Sequence, residues 1–595
     1  MGDIFEYRVH PSVGIARMGN SATTYFLTAE KPMYFSHDGG KTKTQAFAAE
    51  QKVIPTKADR RIAGHSGIRD ADGNLCKQGA KFRVFCYQYE EVAGFMPGVK
   101  VRGGLKDLWE CTEDRYDISW TVQVANRKST LGGDWTDPRE ANLPVAVTVS
   151  KADAGVLKPF TGVPAGRLPL GSCFTDSAGN LTVLGSDGKV QRMPGAKASH
   201  AVATPQRLYW AGYEDDAADG FVKALVTPKP VMIFPDATLP TQIAEPAWVI
   251  VGLPDYAPDI RPGTTLYDVA LNHAYDMAKR AKTGVPDVKP LITYYQLIRQ
   301  MLYAQFAVHY TYTPHRLRVP FNIPGYSATN ALFNLFMRPA KKTDKLRPES
   351  IWAAYTTGGG LHVAPAQQLP APDYEALGTG GGAGGLNTMP DLEFTSITQL
   401  QQMAISNWAA GTLEMGSFIP ETATAQNLKP YQLDRAHLES MSGGSFFPGI
   451  EVGRTAFWPQ TWKGLSGCCP QHFDTRIARQ VADDGTSTTP PAPGYLTKDL
   501  ACPWQADFYA CDATFWPHSR PDIVQLGLNA PGGWKQWATG GGLNLGSHAE
   551  TSGGVTFVPL ADHYWKLGFV QYQDDAAGGQ MVEKGRAAGF APTTV

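Results

Sequence analysis

The chain of 595 residues reads as an α+β protein: a β-rich N-terminal half, a helical middle, and an irregular, loop-rich C-terminal region bearing the chemistry. Three observations predict this. Polar–apolar alternation dominates the first half, as in half-buried strands. Apolar residues at four-residue steps appear only beyond Tyr267. The 62 Gly and 44 Pro favour turns and structured loops over helical bundles. A chain this long exceeds one compact core, and three regions are expected: 1–285, β-rich; 286–445, helical with a glycine-rich loop; and 446–595.

In chain order, Lys81 to Tyr89 alternates as a half-buried strand does, and Ser119 to Val124 repeats the pattern. Arg207-Leu208-Tyr209-Trp210 is a further strand. Val231-Met232-Ile233-Phe234, a continuous apolar run between prolines, suits a buried one. Asp72-Gly73 and Asp187-Gly188 are hairpin signals. Together these predict an antiparallel, sandwich-like region. Helical patterning starts near Tyr267, strengthens from Leu291 to Val308, and returns from Thr395 to Ala410 with Thr395 or Ser396 as cap. The glycine cluster from Gly378 to Gly385 follows no strand–helix pattern suited to phosphate binding. A second break falls at Thr488 to Gly494. No repeat of 20–50 residues recurs, which excludes a solenoid or propeller.

The charges balance, 54 Lys and Arg against 55 Asp and Glu, so nothing electrostatic calls for nucleic acid or an anionic membrane. No run approaches a membrane span, and the first residues lack a signal-peptide pattern. The expectation is a protein that is cytoplasmic, or exported without a conventional signal peptide. Eight cysteines do not make a disulfide scaffold and lack structural zinc spacing. Cys468-Cys469 reads as two buried thiols or a strained disulfide. The 13 histidines show no metal-binding spacing, so no metal is expected.

The C-terminal region concentrates the chemistry. Asp507 precedes Cys511 by four positions, which on a helix puts both side chains on one face. Trp516-Pro517-His518 follows, and then Asp562-His563-Tyr564-Trp565-Lys566. A thiol, a carboxylate and an indole are the parts of a protein-derived cofactor. The spacing alone is equally that of a buried Cys and Trp.

Further stretches stand with these: Tyr7-Arg8-Val9-His10-Pro11 through Arg17 and Ser21, Tyr213-Glu214-Asp215-Asp216 through Gly220, Gly443-Gly444-Ser445-Phe446-Phe447-Pro448-Gly449-Ile450-Glu451, and Pro503-Trp504-Gln505-Ala506-Asp507. From end to end the chain resembles the L-lysine 6-oxidase and glycine oxidase family, whose enzymes carry cysteine tryptophylquinone. The resemblance implies that Cys511 and Trp565 form that cofactor, with Asp507 as the adjacent acid. It implies oxidative deamination of an amino-acid amine by dioxygen, releasing ammonia and hydrogen peroxide. It also implies a separate flavoprotein that completes the quinone. A homo-oligomer is expected. The alternative is an inactive relative with a binding or structural role and unmodified Cys511 and Trp565.

Chemistry gives the other candidates their roles. Amine oxidation needs an electrophile and a two-electron acceptor, which unmodified side chains do not supply. Asp507 beside an indole is the candidate base. His563 and His518 are candidates for proton handling. Lys566 puts a cation next to Trp565. Cys502 is expected to be buried. By the resemblance, the Tyr213 loop approaches the site, with Tyr213 lining the entrance. Its acidic residues Glu214, Asp215 and Asp216 are expected to be exposed and to steer a cationic amine.

Overall fold

The computed structural model describes residues 2–32, 35–38, 41–44, 52–54, 67–96, 99–128, 144–161, 166–192, 201–204, 207–210, 213–230, 239–281, 292–293, 297–298, 300, 398–409, 412–414, 429–443, 451–465, 473–481, 487–505, 519–521, 523–526, 534–537, 543–544, 550–552, 555–559, 563–573, 580–587 and 593–594. The α+β reading holds. The expected strand Val231–Phe234, the helix from Leu291 to Val308 for the most part, the glycine cluster and Cys468-Cys469 lie outside the described residues.

A 14-stranded sheet dominates the N-terminal half. One long member follows the alternation read from sequence, whereas the expected half-buried strand Lys81 to Tyr89 is covered on both faces, with Phe82, Val84 and Cys86 in one core and Phe85, Tyr87 and Tyr89 in another. In Tyr116–Ala125, the residues Tyr116, Ile118, Trp120, Val122 and Val124 point into one core while polar residues alternate with them. Lys77–Ala93 is the hub. It pairs antiparallel with Asp3–His10, from Asp3↔Glu90 to His10↔Arg83, and with Lys100–Cys111. Arg207–Trp210 pairs with Ala201–Thr204 as a separate hairpin.

The expected sandwich gives way to a sheet that curls back on itself. Val145–Ser150 stands at one end of the strand order and Lys158–Pro159 at the other. The ends meet where Ala146 and Thr161 exchange backbone hydrogen bonds of 3.2 and 3.3 Å. Near-closure satisfies edges that a sandwich would expose. The interior holds Phe82, Val84, Trp120, Val122, Val222, Val249 and Val251.

The strand Ala247–Gly252 is buried at every position. Val249 and Val251 face the interior, whereas Trp248 and Ile250 face a second core with Val13, Ile15, Leu266, Leu438, Met441, Trp462 and Leu496. Val13–Arg17 runs parallel to it, from Val13↔Trp248 to Arg17↔Gly252. Strands covered on both faces read as continuous apolar runs, not as alternation.

The second core seats the helices against the sheet. Leu266–Ala281 begins where the sequence places it. Gln399–Ala409 is capped by Thr398, whose hydroxyl accepts from Gln401 N–H (3.2 Å) while the Gln401 carbonyl oxygen Oε1 accepts from Thr398 N–H (2.8 Å). That reciprocal box lies nearer the helix than the expected caps Thr395 and Ser396, which fall outside the described residues. Pro430–Glu439 was not foreseen. Nearly all of it is buried, and its polar side chains pair with distant residues: Asp434 with His10 (2.9 Å) and Glu439 with Arg261 (3.1 Å).

Distant segments are fastened to the sheet in the same way. Arg17 donates to the Leu253 and Ser440 carbonyls and to Glu451 (3.0 Å). Asp219 is fully buried and accepts from Trp248 Nε1 (2.8 Å), Leu496 N–H (3.0 Å), Thr497 N–H (2.9 Å) and the Thr497 hydroxyl. The described C-terminal region is made of small two- and three-stranded sheets, among them Phe569–Gln573 with Gln580–Lys584.

Candidate active site

Trp565 sits in a 3-10 turn, Tyr564–Lys566, closed by the Lys566 N–H bond to the His563 carbonyl (2.9 Å). The turn is tied down from several directions. Tyr256 donates its hydroxyl to the Tyr564 carbonyl (3.1 Å), and Val570 N–H donates to the Tyr256 carbonyl (2.7 Å). Arg69 donates to the Leu567 carbonyl (2.8 Å), Trp537 Nε1 to the Gly568 carbonyl (2.8 Å), and Ala587 N–H to the Lys566 carbonyl (3.0 Å).

Aromatic contacts then orient the indole. His563 lies nearly parallel to Trp565, with centroids 5.9 Å apart and an interplanar angle of 18°. Tyr564 stands edge-on to Trp565 (5.4 Å, 89°) and to Trp504 (5.5 Å, 86°). Trp565 and His563 are half-buried, whereas Tyr564 and Trp504 are buried. Burial, with Asp216 adding to it, pushes the Tyr564 phenol well above its ordinary range, so it stays a neutral donor.

Tyr564 also explains Asp187-Gly188. The pair lies in an irregular connection and not in a hairpin, because Leu181–Leu184 pairs with Lys77–Ala93 while Val190–Arg192 pairs with Tyr213–Asp215. Gly188 has φ +72°, and a Cβ there would come within 2.3 Å of the Tyr564 ring. The Tyr564 hydroxyl donates to the Asp187 carbonyl (2.6 Å).

Tyr213 is half-buried at the start of the Tyr213–Asp215 strand. Its carbonyl accepts a weak S–H bond from Cys502 (3.7 Å), and Cys502 is buried as expected. The acidic residues beside it are not exposed, which corrects the sequence reading. Asp215 and Lys128 form a wholly buried ion pair (2.5 Å), and Lys128 also donates to the Ala501 carbonyl (3.0 Å). Asp215 further accepts from Asn126 Nδ2 (3.1 Å), Ala217 N–H (3.2 Å) and Trp504 N–H (2.7 Å). Glu214 is buried and pairs with Arg167 and Gln191. Asp216 is 1 % exposed. Lys128 lies 87 positions from Asp215, so nothing local in sequence marks the charge as neutralised.

The site residues therefore fall into two groups. Tyr213, Cys502, Trp504, Tyr564, Trp565 and His563 form one connected assembly, joined through the Asp215–Trp504 and Trp504–Tyr564 contacts. Asp507, Cys511 and His518 lie outside the described residues. Trp504 and Tyr564 were not singled out by sequence reasoning, although both lie in the stretches it quoted. Lys128 carried no signal. Among the described residues no cluster of His, Cys, Asp or Glu is arranged to hold a metal ion.

An Asp215→Ala variant is expected to lose about 3–5 kcal/mol of stability, because it strands the Lys128 ammonium in the interior. The loss should persist in high salt, which screens buried pairs weakly. Thermal melts at low and high ionic strength check this. A loss that vanishes in salt would return Asp215 to the surface.

A family model described as "L-Lysine epsilon oxidase N-terminal" matches residues 10–133 and 144–251, and "L-lysine epsilon oxidase C-terminal domain" matches 384–537. The matched stretches contain Tyr213, Asp507 and Cys511, and Trp565 follows the second. The chain is 24% identical over 597 aligned residues to the L-lysine 6-oxidase of Marinomonas mediterranea, covering 87% of this chain and 72% of the relative. The crystal structure of the L-Lys epsilon-oxidase from Marinomonas mediterranea superposes with a TM-score of 0.59 at 18% identity, covering 98% of this chain and 94% of that one. The structure of the Schiff base intermediate of the same protein with L-Lys gives the same score, covering 95% of that chain. At that identity the likeness carries the fold.

Proposed function

The chain belongs to the L-lysine epsilon oxidase family, and from that premise we propose that it oxidatively deaminates a primary amine of an amino acid, using a cysteine tryptophylquinone made from Cys511 and Trp565. Amine, water and dioxygen become an aldehyde or oxoacid, ammonia and hydrogen peroxide. The observation that carries the reading is the presentation of Trp565. Its indole is half-buried on a turn fixed by backbone bonds on both flanks, with His563 along one face and Tyr564 at its edge. A ring that must be modified and then meet a substrate needs both restraint and an open side, and Trp565 has both.

When formed, the quinone supplies an electrophilic carbonyl and a two-electron sink. The chain's own residues do the rest. Asp507 takes the proton from the substrate carbon. His563, stacked against the Trp565 ring, is placed to hold or pass a proton there. Lys566, next to Trp565 in the turn, would supply positive charge beside the cofactor, and Tyr213 would line the approach. Asp215 holds Trp504, and Trp504 backs Tyr564. A separate flavoprotein completes the quinone, so a chain produced without it accumulates as a precursor. Among the described residues, no helix is long and apolar enough to cross a membrane.

The relatives are lysine ε-oxidases, so L-lysine is the first substrate to test, followed by glycine and other primary amines. Mature protein should release hydrogen peroxide and ammonia in equal amounts with at least one of them. A chain that carries quinone and releases peroxide with none of the panel would sink the reading. Unmodified mass in protein isolated from its native cells would favour an inactive relative.

A further inference from the structure

The connecting loop Ser186–Lys189 is held between two partners. On one side the Ser186 hydroxyl donates to the Asp216 carbonyl (3.0 Å), and Lys189 N–H donates to Asp216 Oδ2 (2.9 Å). On the other side the Tyr564 hydroxyl donates to the Asp187 carbonyl (2.6 Å), and the ring packs where Gly188 leaves room for it. Tyr564 stands edge-on to Trp565. A chain of contacts thus runs from the Asp216 carboxyl through four residues of loop and one phenol to the indole.

Asp216 is an unusual carboxyl. It is 1 % exposed, and its Oδ1 has no hydrogen-bond partner among the described residues. The nearby cations are engaged elsewhere: Lys77 and Lys189 both pair with Asp187, at 2.7 and 3.2 Å. A buried carboxylate with one backbone donor and no cation is costly, and the neutral acid is the form such a site accepts.

We propose that Asp216, as a neutral acid, is a positioning residue that sets the pose of Trp565 through the Ser186–Lys189 loop and Tyr564. The role at Trp565 rests on that residue being the quinone tryptophan. Burial pushes the Asp216 carboxyl up to about 7; the Lys189 N–H opposes this, Asp215 and Asp187 add to it, and Lys77 opposes it. Asp215, Asp187, Lys77 and Tyr564 are the titratable groups whose charges act on it among the described residues. Because the folded value is raised, the stability Asp216 contributes is complete below the ordinary carboxylate range. It is lost as pH rises through about 7. Above that pH a charge without a cation presses on the loop that orients Tyr564.

The test uses the full-length chain as wild type, Asp216→Asn and Tyr564→Phe. The first readout is thermal stability against pH. From pH 5 to 7 the wild-type folding equilibrium should fall about 50-fold relative to Asp216→Asn, which cannot ionise. The second readout is the visible absorbance of the quinone in mature protein over the same range. It should shift with the same ionisation in wild type and stay flat in Asp216→Asn. Tyr564→Phe should keep the stability titration but lose the absorbance titration, because only the link from loop to indole is cut. Equal pH dependence of stability in wild type and Asp216→Asn overturns the neutral acid. An absorbance titration that survives in both variants overturns the route to Trp565. A wild-type chain isolated from its native cells with no quinone band overturns the proposed function and the role at Trp565 with it, while the stability arm still decides the protonation of Asp216.

Discussion

A Cys511→Ala variant is expected to fold, carry no quinone and release no peroxide from any amine. The mature wild-type chain should weigh two oxygens more and four hydrogens less than its sequence. Two hydrogens leave with the carbonyl oxygens, one leaves the ring at the thioether carbon, and one leaves the sulfur. Folding should survive because the restraints on Trp565 come from elsewhere: the Tyr256, Arg69 and Trp537 bonds to its turn and the His563 and Tyr564 rings. The cross-link joins residues 54 positions apart (565 − 511). Closing a loop of that size should stabilise the mature chain by about 3–5 kcal/mol through the unfolded state. Peptide mapping should recover Cys511 and Trp565 in one cross-linked fragment. Active protein in which Cys511 can still be alkylated would rule the assignment out.

The sheet was legible in the sequence where one strand face is polar. Tyr116–Ala125 alternates because a core lies on one side and solvent or polar contacts on the other, whereas Lys77–Ala93 is covered on both faces from Phe82 to Tyr87, by one core through Phe82, Val84 and Cys86 and by another through Phe85 and Tyr87. Ala247–Gly252 carries no alternation, since both its faces are covered. Pro430–Glu439 was illegible for a related reason. Its Asp434, Arg435, His437 and Glu439 look like a solvated face, yet all are buried, and Asp434 meets His10 from 424 positions away. Pairings at such separation leave no local pattern.

The same physics divides the candidate site. Trp565 and His563 were nameable because their neighbours along the chain are also their neighbours in space. The acidic loop was misread because its compensating charge, Lys128, is remote in sequence. The stretches that carried the family resemblance prove to include the joints of the molecule. His10 meets Asp434, Arg17 meets Glu451, Asp219 meets Thr497, and Asp215 meets Trp504. These joints hold the C-terminal segments on the sheet, and the Trp565 turn is set against that assembly. A motif in this chain therefore speaks as often for assembly as for chemistry.

Asp507→Ala should lower turnover per quinone by about 10²–10⁴, the usual cost of removing a general base. The chain enters the site at a fixed point. Trp504 N–H is held by Asp215 (2.7 Å), its ring backs Tyr564, and Gln505 follows with helical backbone and full burial. Asp507 comes two residues later in sequence and four positions before Cys511, the spacing that a helix would put on one face. Placed beside the Trp565 ring as proposed, a carboxylate would be partly desolvated, and desolvation raises proton affinity toward what carbon-proton removal requires. Quinone per chain must be measured first, because a carboxylate beside the ring can serve both in making the quinone and in using it. A fall in quinone content with an unchanged rate per quinone assigns Asp507 to maturation. A fall in the rate per quinone, with a larger isotope effect on deuterating the substrate carbon, assigns it to proton removal, since that step then limits turnover more fully. Asp507→Asn keeps the shape and loses the basicity, so it should match Asp507→Ala in rate while retaining more quinone. Normal quinone content together with a normal rate in both variants would make Asp507 a structural residue and leave His563 as the next candidate for the base.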